Sequence, residues 1–438
     1  MLGLLLTAAL TISGAHTHDR VGSAIANAGD VNGDGVPDLI VGEQLSGKAR
    51  AGTAYVVFGR RGRVDLGGLG SRGFRIDGPG REGHAGFSVA GAGDVNGDGL
   101  DDVIVGAAGG GIVDFRPGEA YVVYGKRDSA AVDLAQLGAA GFRMTGSEGG
   151  QLGFDVDGAG DVNGDGLDDV IVGDPNGGTG HAYVVLGTRM PADVNVDALG
   201  AQGFAMAIEN GDAGFSVAGV GDVNSDGRDD VAVAEADDGL AWIVFGDAST
   251  TPVDLAALGA RGFRIEELGK PDDGIDQVAA AGDVNADGRP DVVLGASGED
   301  VDRNAGGAWV VYGSGSTRTV RVAHIGRRGF HIRGRPGEEL GTSIDGAGDI
   351  DGDGHADLVF GSFARGAGAA YIVFGRSRRE LRLPGRVPGA RLGWSVAGIP
   401  NADGKGHDGV LLGAPYAKRG GQASVGAATL FISKRRSG

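Results

Sequence analysis

One phrase recurs six times along this chain of 438 residues, and any fold assigned to it must use that phrase six times over. It reads GDVNGDGVPDLIVG at Gly29, GDVNGDGLDDVIVG at Gly93 and Gly160, GDVNSDGRDDVAVA at Gly221, GDVNADGRPDVVLG at Gly282 and GDIDGDGHADLVFG at Gly348. Successive copies lie 61 to 67 residues apart. That period is too long for a solenoid coil and suits a multi-stranded blade. A seventh, decayed copy, PNADGKGHDGVLLG, starts at Pro400.

Each period holds further runs that read as strands. Before the aspartate comes an alternating segment such as GFSVAGAG at Gly86 or GFDVDGAG at Gly153, the pattern of a half-buried strand. After it comes a four-residue apolar run such as VIVG, which fits a strand buried on both faces. AYVVFG at Ala54 and its five counterparts supply a third strand, and GFRI at Gly73 with its four counterparts a fourth. The 90 glycines serve the turns between these strands, because glycine supplies the positive φ that tight turns need. The chain is therefore expected to be all-β, a seven-bladed β-propeller of four-stranded antiparallel blades, whose closure leaves no long sheet edge exposed.

The seventh period ends at ATLFIS, from Ala428 to Ser433, without an outer strand. LTISG, from Leu10 to Gly14, precedes FRIDG at Phe74 by 64 residues and is expected to supply it, so an N-terminal strand closes the ring. The competing reading is a signal peptide, because residues 1–15 are apolar and end in Ser13-Gly14-Ala15, although they lack a basic start. The expected layout is an apolar N-terminal segment at residues 1–9, the propeller at 10–433 and a basic tail at 434–438.

The repeated phrase also carries chemistry. D-x-[ND]-x-D-G-x-x-D places oxygen ligands at positions 1, 3, 5 and 9 of a tight loop, which suits a hard cation. The predicted ligands are Asp30, Asn32, Asp34 and Asp38; Asp94, Asn96, Asp98 and Asp102; Asp161, Asn163, Asp165 and Asp169. The later loops supply Asp222, Asn224, Asp226 and Asp230; Asp283, Asn285, Asp287 and Asp291; Asp349, Asp351, Asp353 and Asp357. Calcium fits better than magnesium because it accepts six to eight oxygens in flexible geometry, so about six Ca2+ sites are expected. An EF-hand is excluded: position 12 is Val41, Val105, Val172, Val233, Leu294 or Phe360, within a strand, where that motif requires glutamate. The seventh loop keeps Asn401 and Asp403 but has Lys405 at position 5 and Gly409 at position 9, and is expected to bind nothing. The Lys405 ammonium could stand in for a cation there, or the loop could simply be eroded.

A formal charge of -19 argues against nucleic acid, whose phosphates need clustered Lys and Arg. No stretch is long and apolar enough for a membrane span. Millimolar calcium belongs outside cells, so a secreted or cell-surface location is expected. The chain offers no GxSxG, no HExxH and no phosphate-binding loop, and its aspartates are taken up by the metal loops. His16 and His18 could ligate a metal, but a frayed terminal pair is the simpler account.

These phrases resemble FG-GAP repeats, the units of the integrin α-chain propeller. The FG element is present as Gly86-Phe87 and Gly214-Phe215, and the GAP element as Gly413-Ala414-Pro415. Six metal loops exceed the number in integrins and are closer to bacterial proteins of this type. The resemblance implies structural calcium on the lower face and partners on the upper one, and thus a non-catalytic adhesion or recognition module for a protein or carbohydrate ligand. The same repeats accompany some secreted hydrolases and phospholipases, which is the alternative. Aromatic and basic residues in the variable upper loops, Phe115, Arg116, Phe363, Arg365, Tyr416, Lys418 and Arg419, are the candidates for partner binding, against the simpler role of covering blade tops.

Overall fold

The computed structural model describes residues 5–16, 18–46, 50–80, 82–108, 117–147, 149–175, 179–209, 211–236, 238–266, 274–297, 305–363, 366–419 and 424–434. It contains seven sheets, each built mainly from one sequence period, arranged as the blades of a propeller. The first blade runs outward through Ala24–Gly29, Asp38–Glu43, Thr53–Val57 and Gly73–Asp77, all antiparallel. Its second strand is buried along its whole length, as the continuous apolar run predicts. Adjacent blades pack face to face, so the core is a set of clusters between blades. Between the first and second, Ile40, Val56 and Phe74 meet Val103, Val105 and Tyr121.

Closure follows the sequence expectation and extends it. Leu5–Ser13 is a strand antiparallel to Ala427–Lys434, pairing Leu10 with Leu430 and Ile12 with Ala428. It begins at Leu5 rather than Leu10, so residues 5–9 also belong to the seventh sheet.

Five of the seven sheets have a fifth strand that the sequence reading did not foresee. Val132–Asp133 of the second blade runs parallel to Ile76 and Asp77 of the first, and Val194–Asn195, Val253–Asp254 and Val320–Arg321 repeat this around the ring. Gly62–Asp65 does the same against Leu10 to Ser13, so the first blade overlaps the seventh. Each of these strands runs into short 3-10 turns. The Asp65, Asp133 and Asp254 carboxylates cap them by accepting from the amide two residues on. Among the described residues the fifth and sixth sheets have four strands, and the outer strand of the sixth, Glu380–Pro384, lacks the GFRI signature.

Candidate metal loops and upper face

The six intact loops each join an innermost strand to the second strand of the same blade, so the antiparallel meander places them all on one face. In the first loop the Asp30 carboxylate accepts from the Asp34 amide at 2.9 Å and the Gly35 amide at 2.8 Å, which folds the loop around that carboxylate. The same pair recurs at Asp94, Asp161, Asp222, Asp283 and Asp349. Gly35 has φ +80° with open space where a Cβ would sit, so backbone conformation rather than room selects glycine.

Position 9 is the buried end of each site. Asp38, Asp102, Asp169, Asp230, Asp291 and Asp357 are all 0% exposed. Each accepts from the amide just after the third strand, as Asp38 does from Gly59 at 2.8 Å. Burial raises these carboxyls most, and the other loop carboxylates add to it. Asp38, Asp169, Asp230, Asp291 and Asp357 are pushed up to about 7 and Asp102 to about 8. A buried carboxylate with further carboxylates beside it is the arrangement a nearby cation would stabilise.

Two further observations fit a metal. The Oδ1 atoms of Asn224 and Asn285, at position 3, are buried without a hydrogen-bond partner among the described residues, and a cation would satisfy them. In the sixth loop, Asp349, Asp351 and Asp353 bring oxygen atoms within 4.8 Å of one another. The donor set is all oxygen, which selects a hard divalent ion.

In the seventh loop Lys405 is exposed. The Asp403 carboxylate lies 3.0 Å from His407 Nδ1 and 3.4 Å from a guanidinium nitrogen of Arg61, which reaches over from the first blade. Burial alone would raise the Asp403 carboxyl, but His407 holds it below its ordinary value. Arg61 therefore brings a positive charge to Asp403 at this loop.

On the opposite face, Phe363 packs against Trp394 with centroids 4.5 Å apart and rings tilted by 34°, and Trp394 meets Tyr416 edge-on at 5.6 Å. The Arg391 guanidinium lies 4.9 Å from the Tyr416 ring centre and Arg20 lies 5.3 Å from it. Phe87, Phe154 and Phe215 form an arc at centroid spacings of 5.2 and 5.1 Å, and with Trp394 they line an axial cavity of about 430 Å³. Sequence reasoning named Phe363 and Tyr416 but missed Trp394, Arg391 and Arg20. The Gly393-Trp394 pair, standing where other blades have Gly-Phe, was the available signal. Arg419 is engaged at the ring seam, 2.8 Å from Asp65 and 3.1 Å from Ser13 Oγ, and Lys418 is exposed. Phe115, Arg116 and Arg365 lie outside the described residues.

A family model of the FG-GAP repeat matches residues 21–57, 85–124 and 277–311, each spanning an innermost strand, its loop and the next two strands. The chain carries FG-GAP repeats. This FG-GAP propeller is 30% identical to integrin alpha pat-2 of Caenorhabditis elegans over 235 residues, 49% of the chain and 18% of that relative. It is 38% identical to human integrin alpha-IIb over 102 residues, 23% of the chain and 9% of the relative. It is also 26% identical to phosphatidylinositol-glycan-specific phospholipase D of Rattus norvegicus over 179 residues, 36% of the chain and 20% of the relative. The aligned part thus spans a fifth or less of each of these proteins. Among the described residues no helix is long and apolar enough to cross a membrane.

Proposed function

We propose that this FG-GAP propeller is a non-catalytic recognition or adhesion module that works outside the cytoplasm, holds structural calcium in six lower loops and binds a protein or carbohydrate on its upper face. The observation that carries the recognition reading is the partly buried cluster of Phe363, Trp394 and Tyr416 with Arg391 and Arg20 beside the axial cavity. These rings stand above the interblade cores, and aromatic and arginine side chains dominate binding energy at interfaces. Similarity to integrin α-chains supports the adhesion reading. The calcium reading rests on the six repeated carboxylate loops, and the extracellular reading rests on calcium. Asp30, Asn32, Asp34 and Asp38, with their counterparts in the other five loops, would hold the ions. Bound calcium would neutralise the buried position-9 carboxylates and pin each innermost strand to the second.

The test is capture by the immobilised chain on a glycan array and on a panel of extracellular-matrix proteins, in millimolar calcium and in chelator. Calcium-dependent capture that Trp394→Ala and Tyr416→Ala each reduce at least tenfold is expected. Capture indifferent to both substitutions would place the ligand elsewhere, and hydrolysis of phosphatidylinositol-glycan-linked protein by the chain would replace the binding reading with an enzymatic one.

A further inference from the structure

The loop phrase ends in two acidic residues in three of its copies, and only the second of each pair belongs to its own loop. The first, at position 8, reaches the preceding blade. Asp101 Oδ2 accepts from the Asp30 amide at 2.6 Å, while the Asp101 amide donates to the Asp30 carbonyl at 3.4 Å. Asp168 holds Asp94 by the same two bonds, at 2.7 and 3.3 Å, and Asp229 holds Asp161 at 3.0 and 3.1 Å. In each case the residue held is the first ligand of one loop, and the residue holding it is the covalent neighbour of the buried position-9 ligand of the next. The fit leaves no space: a Cβ on Gly29, Gly93 or Gly160 would sit 2.1 to 2.2 Å from the bracing carboxylate.

The braces stop part-way round. Position 8 is Pro290 in the fifth loop, where it only touches Gly221, and Ala356 in the sixth, where just the backbone bond to Asp283 survives at 3.0 Å. Asp408 braces Asp349, but its own loop has Gly409 where a position-9 ligand would be. Arg289 and His355 do reach the fourth and fifth loops, but they meet Ser225 Oγ and the Val284 carbonyl, neither of which is the first ligand.

Resting on the calcium reading, we propose that Asp101, Asp168 and Asp229 couple the first four metal loops into one group that fills cooperatively, while the fifth and sixth loops fill independently. Ordering of Asp102 by a cation fixes Asp101, which fixes the amide and hence the carboxylate of Asp30. The same step repeats from the third loop to the second and from the fourth to the third. By linkage the effect runs equally in the other direction.

The test is calorimetric titration of the chelator-stripped chain with calcium chloride, with bound calcium counted by atomic emission. The native chain is expected to bind about six ions, about four of them in a steep phase with a Hill slope above one. Asp168→Ala removes the middle brace, so it should bind the same number with a lower slope and a midpoint about fivefold higher, the low end of ordinary coupling between sites. Asp168→Asn keeps an oxygen that can accept from the Asp94 amide and should restore the slope. Pro290→Asp builds the missing brace between the fourth and fifth loops and should bring a fifth ion into the steep phase; it decides the matter if Asp168→Ala does not fold. Full calcium binding with a slope and midpoint that neither Asp168→Ala nor Pro290→Asp changes would sink the coupling and leave the calcium reading standing. A native chain that binds no calcium would overturn both.

Discussion

Glu43, at the upper end of the second strand of the first blade, is 2% exposed, and its Oε1 has no hydrogen-bond partner among the described residues. Burial, with the charge of Asp19 added, pushes its carboxyl up to about 9 against the pull of Tyr55 and Arg75. An acid whose folded value is raised favours folding below its unfolded value of 4.5, and that advantage is lost as pH rises toward 9. Glu43→Gln keeps the shape and the bond to Tyr55 without the charge. It should therefore be close to neutral at pH 5 and stabilising by several kcal/mol at pH 9. Thermal unfolding at the two pH values checks this, and an equal effect at both would mean that the native carboxyl is not held neutral. The position-9 aspartates could be picked out from spacing because they recur at a fixed distance from position 1 within one short phrase, although the amide each accepts from lies beyond the third strand. The position-8 aspartates could not. In GDVNGDGLDDVIVG the two look alike, and only the fold shows that Asp101 bonds 71 residues away.

At the scale of the element, the closing strand makes the sharpest prediction. Ile12 is 0% exposed and packs among Val64, Leu411 and Leu430, whereas Ala8 on the same strand is exposed. Ile12→Asp buries an unpaired charge and should cost about 4 kcal/mol or more, opening the ring at the seam, while Ala8→Asp should cost less than about 0.5 kcal/mol. Equal losses in thermal unfolding would show that the strand is held by something other than its buried face. This strand was legible because its distance to FRIDG matches the repeat period, and the four main strands of most blades were legible from alternation and apolar runs. The parallel fifth strands were not, since two residues carry no period. Their signal was the VDLxxLG phrase at Val64, Val132 and Val253, with looser forms at Val194 and Val320; in the first three the aspartate turns the chain into a 3-10 turn. Glu380–Pro384 was missed for the opposite reason: it occupies the outer position without the signature that marks the others.

For the whole molecule, the question is what holds a ring whose core is divided among seven separate interblade clusters. Among the described residues no single cluster spans the axis, so cohesion depends on each blade staying flat against the next. The lower face concentrates the negative charge of a chain at -19 into six loops, and unneutralised repulsion there works against that packing. Calcium at about tenfold above a dissociation constant of about 0.1 mM would contribute about 1.4 kcal/mol per loop, or about 8 kcal/mol for six. That is comparable to the entire net stability of an ordinary domain, roughly 5 to 15 kcal/mol. Calorimetric unfolding in millimolar calcium should therefore show one cooperative transition with a Tm well above that in chelator, and magnesium should recover only a small part of the difference because it resists losing its waters. In chelator, added sodium chloride should raise the Tm by screening the loops, and in calcium it should do little. A Tm that ignores calcium but rises with salt would mean that the loops repel without binding, which would leave the propeller intact and remove both its proposed metal and the reason for placing it outside the cell.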